Sequence, residues 1–326
     1  RYDVSNQVGG GHDVVGADLD LDGDTDLVVP AYEDDELLWF ASDGGDPIEW
    51  TRHVIAGSWD YPVKAVIADI DADGDLDVVA TAWLAQEVAW WRHDGGDPIR
   101  WVEHTIATGF TGTHWVDCAD VDGDGRVDVL AAAMNRSEVA WWRNLGGAPV
   151  EWGRRTITSS LSGAVSVRAS DIDGDGDVDV AASGWDPGGG VAWFENTGGG
   201  LAWLRHAVDS GFGESSSVHT ADVDGDGDLD LVATSWSGNQ VRWWELTAFR
   251  DQGSLTSSIL DTGGTTEWTS WQWEGRVPSG ATLTVEARAS DDALLMGPWV
   301  ELDAEDPSEQ LGDGARYLQY RVVMSG

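Results

Sequence analysis

Residues 18–26 read DLDLDGDTD, and the same acidic nonapeptide returns as DIDADGDLD at 69–77, DVDGDGRVD at 120–128, DIDGDGDVD at 171–179 and DVDGDGDLD at 222–230. The spacing is 51 residues each time. Asp holds loop positions 1, 3, 5 and 9 in all five copies, and Gly holds position 6. A constant period of this size marks a repeat architecture, in which each repeat is one supersecondary unit.

Alternate aspartates along a tight turn converge their oxygens on one hard cation, and Ca2+ takes about six to eight such ligands. The candidate ligands are Asp18, Asp69, Asp120, Asp171 and Asp222 at position 1, with Asp20, Asp71, Asp122, Asp173 and Asp224 at position 3. Asp22, Asp73, Asp124, Asp175 and Asp226 hold position 5, and Asp26, Asp77, Asp128, Asp179 and Asp230 close the loop at position 9. Position 7 is Asp24, Asp75, Arg126, Asp177 and Asp228. A guanidinium cannot ligate a cation, so position 7 is expected to contribute its backbone carbonyl. An EF-hand needs Glu at position 12 between two helices. Position 12 here is Val29, Ala80, Ala131, Ala182 and Ala233, with strand-like flanks, which excludes that motif. Five Ca2+ sites are expected, each clamping a hairpin.

The rest of each repeat reads as four short strands. In the second copy these are 65–70 into the loop, 76–82 out of it, 87–92, and 101–107 after a Gly-Gly turn. The runs are rich in Val, Ile, Trp and Thr and are punctuated by Gly, Asp and Pro. Tryptophan keeps register on the third strand, with Trp39-Phe40, Trp90-Trp91, Trp141-Trp142, Trp193-Phe194 and Trp243-Trp244. The fourth strand opens with Trp50, Trp101, Trp152 and Trp203. Four strands per repeat fit a propeller blade. Arg1 lies 51 residues before Arg52, so residues 1–5 read as a fourth strand that completes the fifth blade and closes the ring. The expected fold is all-β: a five-bladed β-propeller over residues 1–248, with calcium-binding hairpin loops, then a small β-sandwich over 249–326. In the second unit, strands are expected at 254–260, 269–274, 281–289, 298–302 and 316–324.

The D-x-D-x-D-G-x-x-D loops resemble the FG-GAP or VCBS repeats of integrin alpha propellers and secreted bacterial proteins. The run VAWWRNLGG at 139–147, followed by SVRASDIDGDGDVDV at 166–180, is similar to the bacterial version. That resemblance implies a loop joining the first and second strands of each blade and binding Ca2+ there. The C-terminal unit is more distantly similar to β-sandwich modules of bacterial exoproteins. Integrin propellers usually have seven blades, so a count of five does not carry integrin ligand recognition across.

The net charge is −41, with Lys64 the sole lysine. Such a surface opposes nucleic acid and anionic membranes, because phosphate binding needs a basic face. Membrane insertion is not expected, since no apolar run reaches the length of a spanning helix. Cys118 stands alone, so no intrachain disulfide forms. The chain begins without Met or a signal peptide, which suggests a mature, secreted or cell-surface protein.

Two recurring positions point to a ligand. Tyr32, Trp83, Met134, Trp185 and Trp236 follow the second strand, and Trp59, Phe110, Leu161 and Phe212 precede the next first strand. Both sets are expected opposite the calcium loops, where Tyr32, Trp59, Trp83, Phe110, Trp185, Phe212 and Trp236 could stack on sugar rings. Asp117, Arg168 and His219, on the first strands, are expected to meet as a polar cluster. Carboxylates outside the loops (Glu33, Asp34, Asp117, Asp186, Glu214) form no recognisable catalytic pair, and no hydrolase motif occurs. The sequence therefore reads as a non-catalytic, calcium-stabilised binding or adhesion protein whose partner is a glycan or an extracellular protein. The alternatives are a structural subunit of a surface assembly and a polysaccharide lyase or hydrolase.

Overall fold

The computed structural model describes residues 3–246, 252–257, 259–264, 282–302, 311 and 315–325. The chain divides into two compact units, Arg1–Thr247 and Ala248–Gly326.

In the first unit every acidic loop joins two antiparallel strands, as the change from Asp-Gly punctuation to β-branched runs requires. The first sheet is β1 (Val15–Ala17), β2 (Asp26–Ala31), β3 (Glu36–Ser42) and β4 (Trp50–Gly57), paired in chain order. The second is β5 (Pro62–Ala68), β6 (Asp77–Ala82), β7 (Glu87–His93) and β8 (Trp101–Thr108). The third is β9 (Thr113–Ala119), β10 (Asp128–Ala133), β11 (Glu138–Asn144) and β12 (Trp152–Thr158), with a 3-10 turn at Met134–Arg136. The fourth is β13 (Ala164–Ser170), β14 (Asp179–Gly184), β15 (Gly190–Asn196) and β16 (Trp203–Asp209). The fifth has three strands, β17 (Ser215–Ala221), β18 (Asp230–Ser235) and β19 (Gln240–Trp244). Register repeats with sequence: Leu27 pairs with Phe40, Val78 with Trp91, Val129 with Trp142, Val180 with Phe194 and Leu231 with Trp244.

The core lies between sheets. Neighbouring residues of a strand point to opposite faces, so the paired aromatics of the second, third and fourth sheets each serve two different seams. Trp91 packs with Trp39 between the first and second sheets, while Trp90 packs with Trp142 between the second and third. Trp141 meets Phe194 between the third and fourth. Trp244 and Trp193 flank the seam of the fourth and fifth. Strands β6, β10 and β14 are buried along their whole length because a sheet covers each face.

One expectation fails at the ends of this unit. Asp3–Ser5 form no strand, Arg1 and Tyr2 lie outside the described residues, and among the described residues the fifth sheet has three strands. Strand β19 is accordingly open, with Val241 74% and Trp243 43% exposed. On the first sheet, Phe40 packs with Leu38, Ala31, Val8 and Trp50, a core drawn from that sheet and the segment leading into it. The sequence period could align residues 1–5 with a fourth strand, but hydrogen-bond pairing is a separate condition that periodicity does not supply.

The second unit holds an antiparallel sheet, β20 (Gln252–Thr256), β24 (Tyr317–Ser325), β22 (Thr282–Ser290) and β23 (Val300–Glu301), with β21 (Leu260–Asp261) paired to β24. The strand expected at 269–274 lies outside the described residues. Arg316 forks onto both oxygens of Asp261, each at 2.8 Å, joining two strand ends.

Candidate functional site

The acidic loops share one backbone turn and one set of hydrogen bonds at positions 6 and 9. Gly at position 6 takes a positive φ, from 86° at Gly125 to 101° at Gly176, which L side chains disfavour. Its N–H donates to the position 1 carboxylate, at 3.0 Å in Gly23–Asp18 and 2.8 Å in Gly125–Asp120. The N–H of position 7 donates to position 5, as in Asp75–Asp73 at 3.0 Å and Arg126–Asp124 at 3.1 Å. Position 9 is buried and accepts two backbone N–H groups. Asp77 receives Ile70 at 3.0 Å and His93 at 2.8 Å, and Asp128 receives Val121 at 3.0 Å and Asn144 at 2.7 Å. Asp26, Asp179 and Asp230 are held in the same way. Side chains also tie neighbouring repeats together: Asn144 Nδ2 donates to the Ile70 carbonyl of the preceding loop and Asn196 Nδ2 to that of Val121.

These bonds leave oxygens over. Carboxylate oxygens of Asp18, Asp20 and Asp22 lie within 4.8 Å of one another, as do those of Asp222, Asp224 and Asp226. In the middle repeats the groups are Asp69, Asp71 and Asp77; Asp120, Asp122 and Asp128; and Asp171, Asp173 and Asp179. Oδ1 of Asp18, Asp71, Asp122 and Asp171 is buried without a hydrogen-bond partner. Burial, with repulsion from neighbouring carboxylates, raises Asp20, Asp71, Asp122 and Asp173 above the usual carboxylate range. Burial likewise lifts Asp77 and Asp128 to about 7 and Asp179 to about 6, against the pull of their backbone donors. Unshared oxygens crowded at this range fit a hard cation, which would cancel the repulsion. All five clusters could hold a metal ion. The side chains of Asp24, Asp75, Asp177 and Asp228, and of Arg126, belong to none of them.

A second feature is a cavity of about 650 Å³. It is lined by two recurring positions at the 51-residue spacing. One is the expected set after the second strand: Trp83, Met134, Trp185 and Trp236. The other enters the first strand: His12, His114, Val165 and Ser216, with Trp115 beside them. This second set escaped sequence reading because its members share neither polarity nor size. Only their common spacing marks them. Tyr32 stands next to this group, its ring 6.2 Å from His12 and 4.6 Å from Tyr61. His12 meets His114 edge-on at 5.5 Å, and His114 meets Trp83 at 5.6 Å.

Trp59, Phe110 and Phe212 are not in the cavity, and this corrects the expectation that they face a ligand. All three are buried, packed edge-on against Trp91, Trp142 and Trp244 at 4.7, 5.2 and 5.1 Å. Each fills a seam, and the Trp59 indole N–H donates to Glu87 at 3.0 Å. The polar cluster of the first strands does form. Arg168 Nη1 lies 3.3 Å from Asp117 and Nη2 lies 3.2 Å from His219 Nδ1. Cys118 is a free thiol that burial pushes well above its ordinary range, consistent with a packing role.

The first unit is thus an all-β repeat structure of antiparallel sheets, each carrying an acidic loop fit for a cation. The chain belongs to the FG-GAP-like repeat family, whose pattern matches residues 18–80, 69–131, 120–182 and 171–233. Among solved structures it is similar to the V. cholerae biofilm matrix protein Bap1, at 16% identity and TM-score 0.45, over 98% of this chain and 68% of that one. It is also similar to the rhamnogalacturonan lyase YesW (14% identity, TM-score 0.41) and the exotype rhamnogalacturonan lyase YesX (15%, 0.46). Each of these matches covers 69% of this chain but only 44% and 45% of the lyases. No curated protein matches the chain by sequence. Among the described residues no helix is long and apolar enough to cross a membrane.

Proposed function

We propose that this is an extracellular, calcium-stabilised binding protein that holds a glycan in the tryptophan-lined cavity. The observation that carries the reading is the convergence of Trp83, Trp185 and Trp236, from the second, fourth and fifth sheets, on one cavity. Flat aromatic faces stack on the C–H faces of sugars, and the volume falls in the roughly 300–1,000 Å³ range of small-ligand sites. Trp236 is 72% exposed, a large apolar surface kept in water that a bound partner would cover.

The five loops hold Ca2+ in this reading, through the aspartates of positions 1, 3, 5 and 9 and the carbonyl of position 7. The ion supplies positive charge that locks each hairpin, and the chemistry of binding belongs to the cavity. Five sheets joined by shared seams support a five-bladed propeller, and the C-terminal unit fits a β-sandwich module. A non-catalytic role is favoured because the described residues that line the cavity include no Asp or Glu, whereas glycoside hydrolysis generally uses a carboxyl pair.

The test is a screen of glycans and polysaccharides in calcium and again in EGTA. Calcium-dependent binding that disappears in Trp236→Ala supports the reading. A folded protein that binds no glycan sinks it and favours a subunit that only presents surfaces to neighbouring proteins.

A further inference from the structure

The described residues that line the cavity include no Asp, Glu, Lys or Arg, which is unusual in a chain of net charge −41. Two cations of the neighbouring strands are already engaged. Lys64 lies over the Trp115 ring at 4.6 Å and pairs with Asp13 at 2.7 Å, and Arg168 pairs with Asp117 at 3.3 Å. An anionic ligand would therefore enter a negative field with neither of these two cations free to meet it.

Two polar atoms of the lining side chains are buried without partners, His114 Nδ1 and the Trp115 indole N–H. The His114 ring also bonds the Val165 backbone, and burial holds the ring neutral down to about pH 4. A neutral imidazole that donates from one nitrogen presents a lone pair on the other. Each atom has almost no accessible surface of its own, so neither is open to a ligand in the cavity, and leaving such groups unmade in a buried site is costly. Ser216 Oγ bonds Thr234 at 2.7 Å and keeps further hydrogen-bonding capacity.

Resting on the glycan reading above, we infer that the cavity selects an uncharged hexopyranoside over a uronate, stacking it on Trp83, Trp185 and Trp236. Selection works by exclusion as well as attraction: the carboxylate of a uronate would lose its water and gain no cation.

The experiment is calorimetric titration of the full chain in calcium with glucose, galactose and mannose oligomers and with the oligomers of their uronic acids. A neutral series bound at least about tenfold more tightly, with an affinity insensitive to salt, is expected. Equal or tighter uronate binding, falling as salt rises, overturns the inference while leaving the glycan reading intact. Binding of neither series overturns both. Trp236→Ala should weaken the neutral ligand about tenfold, because the exposed ring can be removed without opening a core, and an unchanged affinity counts against the stacking.

Discussion

Arg143 Nε stands 2.5 Å from Asp122 Oδ2, so the third acidic loop contains a positive charge of its own. Arg143 also reaches Asp124 at 2.9 Å, and Arg126 bonds Asp124 and, through Nε, the Asn144 carbonyl at 2.8 Å. The residues at the Arg143 position in other repeats are Ala41, Arg92, Glu195 and Glu245, and Arg92 pairs with Asp94 outside its loop. Two guanidiniums therefore oppose a divalent cation at the third loop alone. Calcium titration should show four stronger sites and one weaker. Arg143→Gln should raise the affinity of the weak site by about tenfold, the guanidinium being partly exposed and its field screened. Five indistinguishable sites in the unmodified chain would contradict this.

Removal of calcium should lower the melting temperature sharply. A ligand bound only to the folded state stabilises it by about 2.7 kcal/mol per site at a hundredfold excess over Kd. Because Asn144 and Asn196 join each loop to its neighbour, the loss should spread beyond single hairpins. Scanning calorimetry in calcium and in EGTA is the check, and identical melting in both would remove the metal from the account.

Within one loop, positions 5 and 9 should separate. Asp124→Ala removes a candidate ligand that also accepts the Arg126 N–H and pairs with Arg126 and Arg143, and since partly exposed pairs contribute little it should cost more stability in calcium than in EGTA. Asp128→Ala strands the N–H groups of Val121 and Asn144 in a buried site, at about 1–3 kcal/mol each, with or without the ion. Denaturant unfolding of both variants under both conditions decides it. Equal calcium dependence for the two would mean that position 9 acts chiefly as a ligand.

The His114 ring gives a pH dependence with a definite sign. Burial, and then the His12 ring beside it, lower the ring from 6.5 to about 4 in the folded chain, while contact with the Val165 backbone pulls the other way. The Trp83 ring faces it at 5.6 Å without charge. Between those values the unfolded chain binds the extra proton, so stability present above about 6.5 falls as pH drops toward 4 and then levels. The loss is at most about 3 kcal/mol. His219 is lowered by burial and by Arg168 and acts in the same direction. The stability difference between His114→Phe and the unmodified chain should change across this window. A pH-independent difference would disprove the assignment.

Much of this was legible in the sequence because the period turns alignment into arithmetic. The acidic loops, the strand order and the aromatic register of the third strands all follow from residues 51 apart. The distinction between Trp83 and Trp59 does not follow. Both rings sit in polar loops, and only the third-strand ring opposite Trp59 decides that it is buried. The twofold hydrogen bonding of Asp77 was hidden because its donors, Ile70 and His93, lie on different segments. The open edge of β19 was hidden for a related reason, since matching spacing cannot report whether residues 1–5 pair.

The seams carry a consequence for how such a chain can change. Each internal seam is built the same way, from one ring of one sheet and the alternate ring of the next. A deletion of a few residues would break that handshake, whereas removal or duplication of a whole module leaves every remaining junction with the partner it already knows. Length variation in this lineage should therefore come in whole steps, like beads on a string, each step adding or removing one sheet together with its loop.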